Sequence, residues 1–266
     1  MTQINTLANL KDRVSIVTGG NGFLGTAICS MLAEQGSDII VVDHPDYCLI
    51  EQIQRLQEEF SVKAYGFNID LIDHNKRLEF LNDIKEQFSS IDILINNAAY
   101  VGSSQIDGWN CKFSHQSIEA WRDALELNLS APFHLSQGLS ELLKESKSGS
   151  IINIASIYGL YAPKWEIYEG TDMNNPAAYS ASKGGLIQFS RWLSSTLAPN
   201  VRVNCISPGG IYRNQPDEFI KKYEKATPLN RMAYETDMLG AIAFLGSDMS
   251  KYVTGQNIVI DGGWGV

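Results

Sequence analysis

The sequence predicts an α/β protein, a doubly wound parallel sheet of seven strands with helices on both faces, built as a single domain over residues 1–266. Three observations predict it. Short β-branched runs alternate with longer amphipathic stretches along the whole chain. A glycine-rich turn joins the first run directly to the first helical stretch. The composition, 44% hydrophobic and 19% charged in 266 residues, is that of a soluble globular chain large enough for a deep core.

Taken in order, Val14–Val17 is the first strand, and the helix Thr26–Gln35 follows the glycine turn. Ile39–Val42 is the second strand, Cys48–Phe60 its helix, Ala64–Phe67 the third strand and Lys76–Phe88 the next helix. Ile91–Ile95 leads to one long helix over Ser117–Glu145, and Ser150–Ile154 to the helix Ala178–Leu197. Val201–Ile206, the helix Glu235–Leu245 and Ile258–Ile260 complete the series. Strands joined by helical crossovers form a parallel sheet. No linker, repeat or composition shift marks a domain boundary. Three long loops, at about 100–113, 159–176 and 209–230, follow the carboxyl ends of strands, the edge where such sheets bind ligands, and are the expected substrate loops.

Charge and cysteine usage narrow the partners. Twenty-one Lys and Arg against 30 Asp and Glu give a net charge of −9 with no basic cluster, so nucleic acid and membrane surfaces are not expected partners. Cys29, Cys48, Cys111 and Cys205 fall in hydrophobic stretches with no CxxC spacing, and His44, His74, His115 and His134 share no ligand spacing; no metal is expected. The first residues lack the apolar core of a signal peptide, and no apolar run reaches the ~18 residues of a membrane span. The expected setting is cytoplasmic and reducing.

The turn Thr18-Gly19-Gly20-Asn21-Gly22-Phe23-Leu24-Gly25 sits between a strand and a helix. Glycines there let the chain turn sharply and a pyrophosphate approach the backbone, while the helix N-terminus favours its negative charge. Gly19, Asn21, Gly22, Phe23, Leu24 and Gly25 are therefore candidate dinucleotide contacts. Asp43, 18 residues beyond Gly25, ends the second strand next to His44. Its carboxylate suits ribose hydroxyls and repels a 2′-phosphate, and no nearby Arg or Lys compensates one, so NAD is expected rather than NADP.

Tyr179 and Lys183 stand four residues apart in the helical stretch, which places both on one face. An ammonium beside a phenol favours the phenolate and readies it for proton exchange with an alcohol or carbonyl. With them come Ser156 at the end of the fifth strand, Asn96-Asn97-Ala98-Ala99 after the fourth, Glu126-Leu127-Asn128-Leu129, and the closing Ile258-Val259-Ile260-Asp261-Gly262-Gly263. In this order, from Val14 to Gly263, the motifs resemble those of the short-chain dehydrogenase/reductase family in its compact, single-domain form.

That resemblance implies a Rossmann-like fold and assigns roles. Tyr179 is the acid/base; Lys183 lowers its pKa and holds the nicotinamide ribose; Ser156 orients the reacting oxygen; Asn128 keeps a relay water. Asn97, Ala98 and Ala99 border the cofactor cleft, Asp70 and Leu71 lie beside the adenine, and Pro208, Gly209 and Ile211 lie near the nicotinamide. The resemblance also implies a homotetramer or homodimer built on the Ser117–Glu145 and Ala178–Leu197 helices, with the Trp264-Gly265-Val266 tail as a further contact.

The chain departs from the compact pattern in three places. Phe23 stands where a glycine is usual, so the turn reads TGxxGxxG as in extended members; Ser156 and Tyr179 are 23 residues apart; and no Thr follows Pro208-Gly209. The longer loop mixes rings and amides, which suits a polar, hydroxylated substrate. Tyr100, Tyr158, Trp165, Tyr168 and Arg213 are the expected substrate contacts. Arg213, Lys221, Lys222, Lys225 and Arg231 are expected to steer an anionic substrate, and the region loosely resembles dehydrogenases of bacterial surface-sugar, nonulosonate pathways. The expected activity is NAD(H)-dependent interconversion of a secondary alcohol and ketone on a small polar, sugar-derived or anionic molecule. The alternatives are a 3-ketoacyl-type reductase, a nucleotide-sugar epimerase or dehydratase that retains NAD, and a non-catalytic dinucleotide sensor.

Overall fold

Seven strands pair in parallel in the order β3-β2-β1-β4-β5-β6-β7, each flanked in sequence by helix. The computed structural model describes residues 3–102, 104 and 106–266. Ser103 and Gln105, within the predicted 100–113 loop, and the first two residues, Met1 and Thr2, lie outside the described residues.

A short helix α1 (Ile4–Ala8) precedes β1 (Val14–Thr18), α2 (Phe23–Glu34), β2 (Asp38–Asp43), α3 (Ile50–Phe60), β3 (Ala64–Asn68), α4 (His74–Gln87) and β4 (Ile93–Asn96). Then come α5 (Ile118–Leu125), α6 (Ala131–Gly138), α7 (Ser140–Glu145), β5 (Gly149–Ile154), α8 (Ala177–Leu197), β6 (Val201–Pro208), α9 (Asp217–Lys225), α10 (Glu235–Gly246) and β7 (Asn257–Ile260). Strand order reverses between β1 and β4, and the crevice outside the carboxyl ends of those strands is where such sheets take ligands.

The central strands alternate their side chains between two cores. Val17, Ile39, Val41, Ile93 and Ile152 pack with Ile28, Leu32 and Ile242 on one face. Ile16, Ile40, Val42, Leu94 and Ile151 pack with Phe80, Ile84, Leu135 and Leu197 on the other. The central strands are buried on both sides, which is why they read as continuous apolar runs rather than as half-polar ones.

Three expectations are corrected. The long helix over Ser117–Glu145 is three helices: a π-turn at Glu126–Ser130 interrupts it, and it breaks again at Leu139. Gly138 permits the second break's close approach to α4, since a Cβ there would lie 2.5 Å from Leu81. The 209–230 loop contains α9, with Asp217 and Glu218 in its first turn, Lys222 and Lys225 in its last, and Phe219 and Tyr223 buried four apart. Those charges suit the helix dipole, a signal present in the sequence. Cys48 is exposed and Cys111 partly so, rather than within hydrophobic elements. In the Trp264-Gly265-Val266 tail, Trp264 is 2% exposed and stacked on Tyr223 at 4.4 Å, so its ring belongs to the core of its own chain, while Val266 is exposed.

Candidate active site

The glycine turn is built from backbone. Helix α2 begins at Phe23, earlier than expected, with Gly22 as an N-cap that offers no side chain. The N–H groups of Phe23, Leu24 and Gly25 find no protein acceptor among the described residues, while Gly22 N–H donates to Gly19 O at 3.2 Å and Thr26 N–H to Gly22 O at 2.8 Å. Three unpaired amides at a helix N-terminus form a cradle for an anion. Only glycine fits around it: a Cβ on Gly25 would stand 1.9 Å from Gly19 O, and one on Gly19, at φ +62°, 2.9 Å from Ala98 Cα. The residues present thus fit a dinucleotide pyrophosphate.

Asn97 fastens that turn to β4. Its Nδ2 donates to the carbonyls of Thr18 and Gly19, both at 3.0 Å, while the Thr18 hydroxyl accepts from the N–H groups of Asn97 (3.0 Å) and Ala98 (3.1 Å). Ala99 follows directly in the strand-end segment. Asp43 is buried at the end of β2, where one carboxylate oxygen accepts from Asn21 N–H and the other from His44 N–H, each at 2.8 Å. The His44 side chain is exposed beside Asp46. Asp70 caps its own turn through Ile72 N–H, whereas the Leu71 side chain points into the core.

The four residues expected to carry chemistry converge at the carboxyl ends of β4 and β5. Ser156 follows β5 with extended backbone and opens a 3₁₀ turn, its Oγ accepting from Tyr158 N–H at 3.2 Å. Tyr179 stands in the first turn of α8; burial raises its pKa above that of a free phenol, and the nearby Ser156 hydroxyl pulls it partly back. Lys183 is one turn further along, 3% exposed, with Nζ donating to Ile154 O at 2.7 Å and lying 5.8 Å from the centre of the Tyr179 ring. Burial brings its pKa down to about 8. Asn128 is fully buried in the π-turn, with both amide protons committed, to Tyr100 O (3.3 Å) and Ser182 Oγ (3.1 Å), while its Oδ1 accepts from Tyr100 N–H (2.8 Å). Its side chain therefore holds the π-turn against the strand end and α8, a common use of such bulges at working sites.

The long loops form the other wall. Asn174 N–H donates to Asn110 Oδ1 and Ala177 N–H to Gln116 Oε1, tying the first two loops together. Tyr168 and Trp264 pack with Ile157, Phe219, Tyr223 and Met232 in a separate aromatic core, with Tyr158 against it. Tyr158 and Tyr168 share a hydrogen bond of 2.6 Å, and Trp165, 55% exposed, leans on Tyr168. Pro208 ends β6; Gly209 N–H donates to Ile260 O, Tyr223 Oη accepts from Gly210 N–H, and Ile211 bridges Ala233.

Arg213 is placed elsewhere than expected. Its guanidinium lies 4.7 Å from the centre of the Phe23 ring and pairs with Glu235, so it clasps the glycine turn instead of facing the substrate loops. Of the other basic residues, Lys222 pairs with Glu218 and Arg231 with Asp237. Several contributors were missed in the sequence: Thr18 as the pin of the turn, Asn175 behind Tyr168, and Arg77. The last is 2% exposed and joins the carbonyl of Leu71 to Glu126 in the π-turn. None has a signature readable without knowing which segments meet. Among the described residues no cluster could hold a metal, and no helix is long and apolar enough to cross a membrane.

Comparison with known proteins follows this geometry. The family model described as enoyl-(acyl carrier protein) reductase matches residues 21–265. The chain is 32% identical to post-translational flagellin modification protein A of Campylobacter coli, over 97% of this chain and 100% of that one. It is 30% identical to sorbose reductase of Candida albicans, over 97% and 89%. Among solved structures it is similar to a short chain dehydrogenase from Leptospira borgpetersenii with bound NAD+, at 32% identity and TM-score 0.84, covering 100% of this chain and 98% of that one.

Proposed function

The chain belongs to the short-chain dehydrogenase/reductase family and is an oxidoreductase that uses a nicotinamide dinucleotide, and we propose that it interconverts a secondary alcohol and a ketone on a small polar substrate, with NAD(H) as the carrier and Tyr179 as acid and base. The carrying observation is the convergence of Ser156, Tyr179 and Lys183 beside a helix N-terminus with three unpaired amides.

The bound nicotinamide would supply or accept the hydride. The chain's own part is orientation and proton traffic. Ser156 Oγ donates to the substrate oxygen and sets its position; Tyr179 Oη gives that oxygen a proton in reduction and takes one in oxidation. Lys183, buried and with a pKa near the working range, holds the ribose hydroxyls and stabilises the phenolate by charge. Asp43 accepts the adenosine ribose hydroxyls and repels a 2′-phosphate, which supports NAD over NADP.

The substrate wall of Tyr100, Tyr158, Trp165 and Tyr168 supports a hydroxylated molecule, since rings cover its apolar faces and phenols satisfy its oxygens. The sugar named for the Candida relative agrees with that class. The description of the matching family model speaks for an acyl substrate, but the segment Tyr212-Arg213-Asn214-Gln215-Pro216-Asp217-Glu218 after β6 is polar. The paired basic residues favour a neutral polyol or ketose over an anion. Phe133, Phe189 and Trp192 line up on α6 and α8, the first and last 45% and 58% exposed, and support a homodimer or homotetramer joined through those helices.

The test follows NADH absorbance with ketoses, keto-sugar derivatives and β-ketoacyl thioesters, with Tyr179→Phe alongside. Ketoses should be reduced by the wild type, and the variant should bind NADH yet lose about 10²- to 10⁴-fold in turnover. Consumption of thioesters alone would replace the polyol reading with the acyl one; NADH bound but never consumed would favour epimerase, dehydratase or sensor.

A further inference from the structure

Between the catalytic residues and the aromatic core the structure buries two phenols against each other, and we infer that the Tyr158–Tyr168 pair is a second substrate subsite, donating one hydrogen bond to an oxygen carried on the carbon next to the reacting one. This rests on the ketone and alcohol reading above and specifies the substrate class: α-hydroxyketones and vicinal diols.

The proton count carries it. The two hydroxyls share one hydrogen bond at 2.6 Å. Asn175, itself 6% exposed, donates its Nδ2 to Tyr168 Oη at 3.5 Å and accepts from Ser180 Oγ at 3.1 Å, so its amide can only add a proton to the pair. Two phenols bring two O–H protons, and the mutual bond uses one. If Tyr158 donates to Tyr168, the proton of Tyr168 is left over; if Tyr168 donates, that of Tyr158 is. Among the described residues neither has a protein acceptor for it. Tyr168 is 8% exposed and Tyr158 partly buried, so the spare O–H, with no protein acceptor, is a donor left for a ligand that displaces water from it.

Its location fixes what that ligand is. Tyr158 lies two residues after Ser156 in the same 3₁₀ turn, its N–H on the Ser156 Oγ, its hydroxyl on that of Tyr168 and its ring against the aromatic core. Burial drives both Tyr158 and Tyr168 well above the ordinary phenol pKa, so each stays protonated and serves as donor across the physiological range, unlike Tyr179, whose proton moves. With Ser156 and Tyr179 assigned to the reacting oxygen, the spare proton, carried on the turn that Ser156 opens, is assigned to an oxygen on the adjoining carbon.

The experiment measures kcat/KM with NADH for acetoin and for butan-2-one, two ketones that differ only in a hydroxyl beside the carbonyl. Wild type should prefer acetoin by roughly tenfold to a hundredfold, the range of one buried donor left unpaired. In Tyr158→Phe/Tyr168→Phe the ratio should fall towards one, whereas each single variant keeps one unpaired phenol proton and should keep more of the preference than the double variant, with thermal melts confirming the fold. A wild type without preference, or a preference that survives the double substitution, overturns the subsite. Reduction of neither ketone by a wild type that quenches or enhances NADH fluorescence overturns instead the ketone reading on which it rests.

Discussion

The two walls of the cleft are made of different material. On the cofactor side, at the ends of β1, β2 and β4, the ligand-facing groups are main-chain amides, and the side chains that matter (Thr18, Asn97, Asp43) are spent on holding the backbone still. On the substrate side, beyond β5 and β6, the facing groups are side chains, held by an aromatic core of their own and by phenol and amide hydrogen bonds. Diphosphate needs only donors and a dipole, which any backbone supplies once the Cβ atoms are gone. A particular substrate needs shape and a particular set of donors, which only side chains vary.

This contrast can be broken from either side. The largest effect on cofactor binding is expected on the backbone wall: Gly25→Ala puts a methyl 1.9 Å from Gly19 O, with no flexible neighbour to yield. Displacing the start of α2 should cost at least tenfold in NADH affinity, read by fluorescence titration, and about 1–3 kcal/mol of stability. Retained affinity would mean that the cradle does not bind the cofactor. On the other wall, Trp264→Ala removes a ring that is 2% exposed and should cost about 3–5 kcal/mol, lowering Tm by roughly 10 °C. NADH affinity should change far less than substrate KM; equal losses would show that the walls are one unit.

Subtler changes sharpen the comparison. Asp43→Ala removes one negative charge at the ribose end and should shift the ratio of NADP to NAD affinity by about tenfold towards NADP; an unmoved ratio would place cofactor choice elsewhere. The smallest effect concerns pH. Lys183 titrates near 8 in the cofactor-free fold against 10.5 for a free lysine, so burying its charge costs stability that is fully lost below about pH 8. As pH rises from about 8 towards 10.5 the folded state sheds this proton before the unfolded one, and the penalty is relieved. Tm of the wild type should therefore gain on Lys183→Met over that window, and parallel curves would refute the assignment.

Legibility divides along the same line. The glycine turn was readable because its requirement is local: Gly19 and Gly25 must lack a Cβ within one turn of chain. Tyr179 and Lys183 were readable because four residues is a helix turn, and Ser156 because it ends a β-branched run. Arg213 was misread because its partners, Phe23 and Glu235, are 190 residues before it and 22 after it. The continuous helix over Ser117–Glu145 was misread because periodicity cannot register one extra residue in a turn, although that residue's turn is what seats Asn128.

By itself, then, the sequence determined the α/β class, the strand series, the glycine turn and the placing of Tyr179 and Lys183 on one helix, because each follows from steric or periodic rules acting over a few residues. The tertiary structure alone decided which side chains face each other across the cleft: the Tyr158–Tyr168 bond, Trp264 folded under Tyr223, and Arg77 linking the Leu71 carbonyl to the π-turn. Those contacts join separate segments, and their partners are chosen by packing of the whole sheet and its helices rather than by any spacing along the chain.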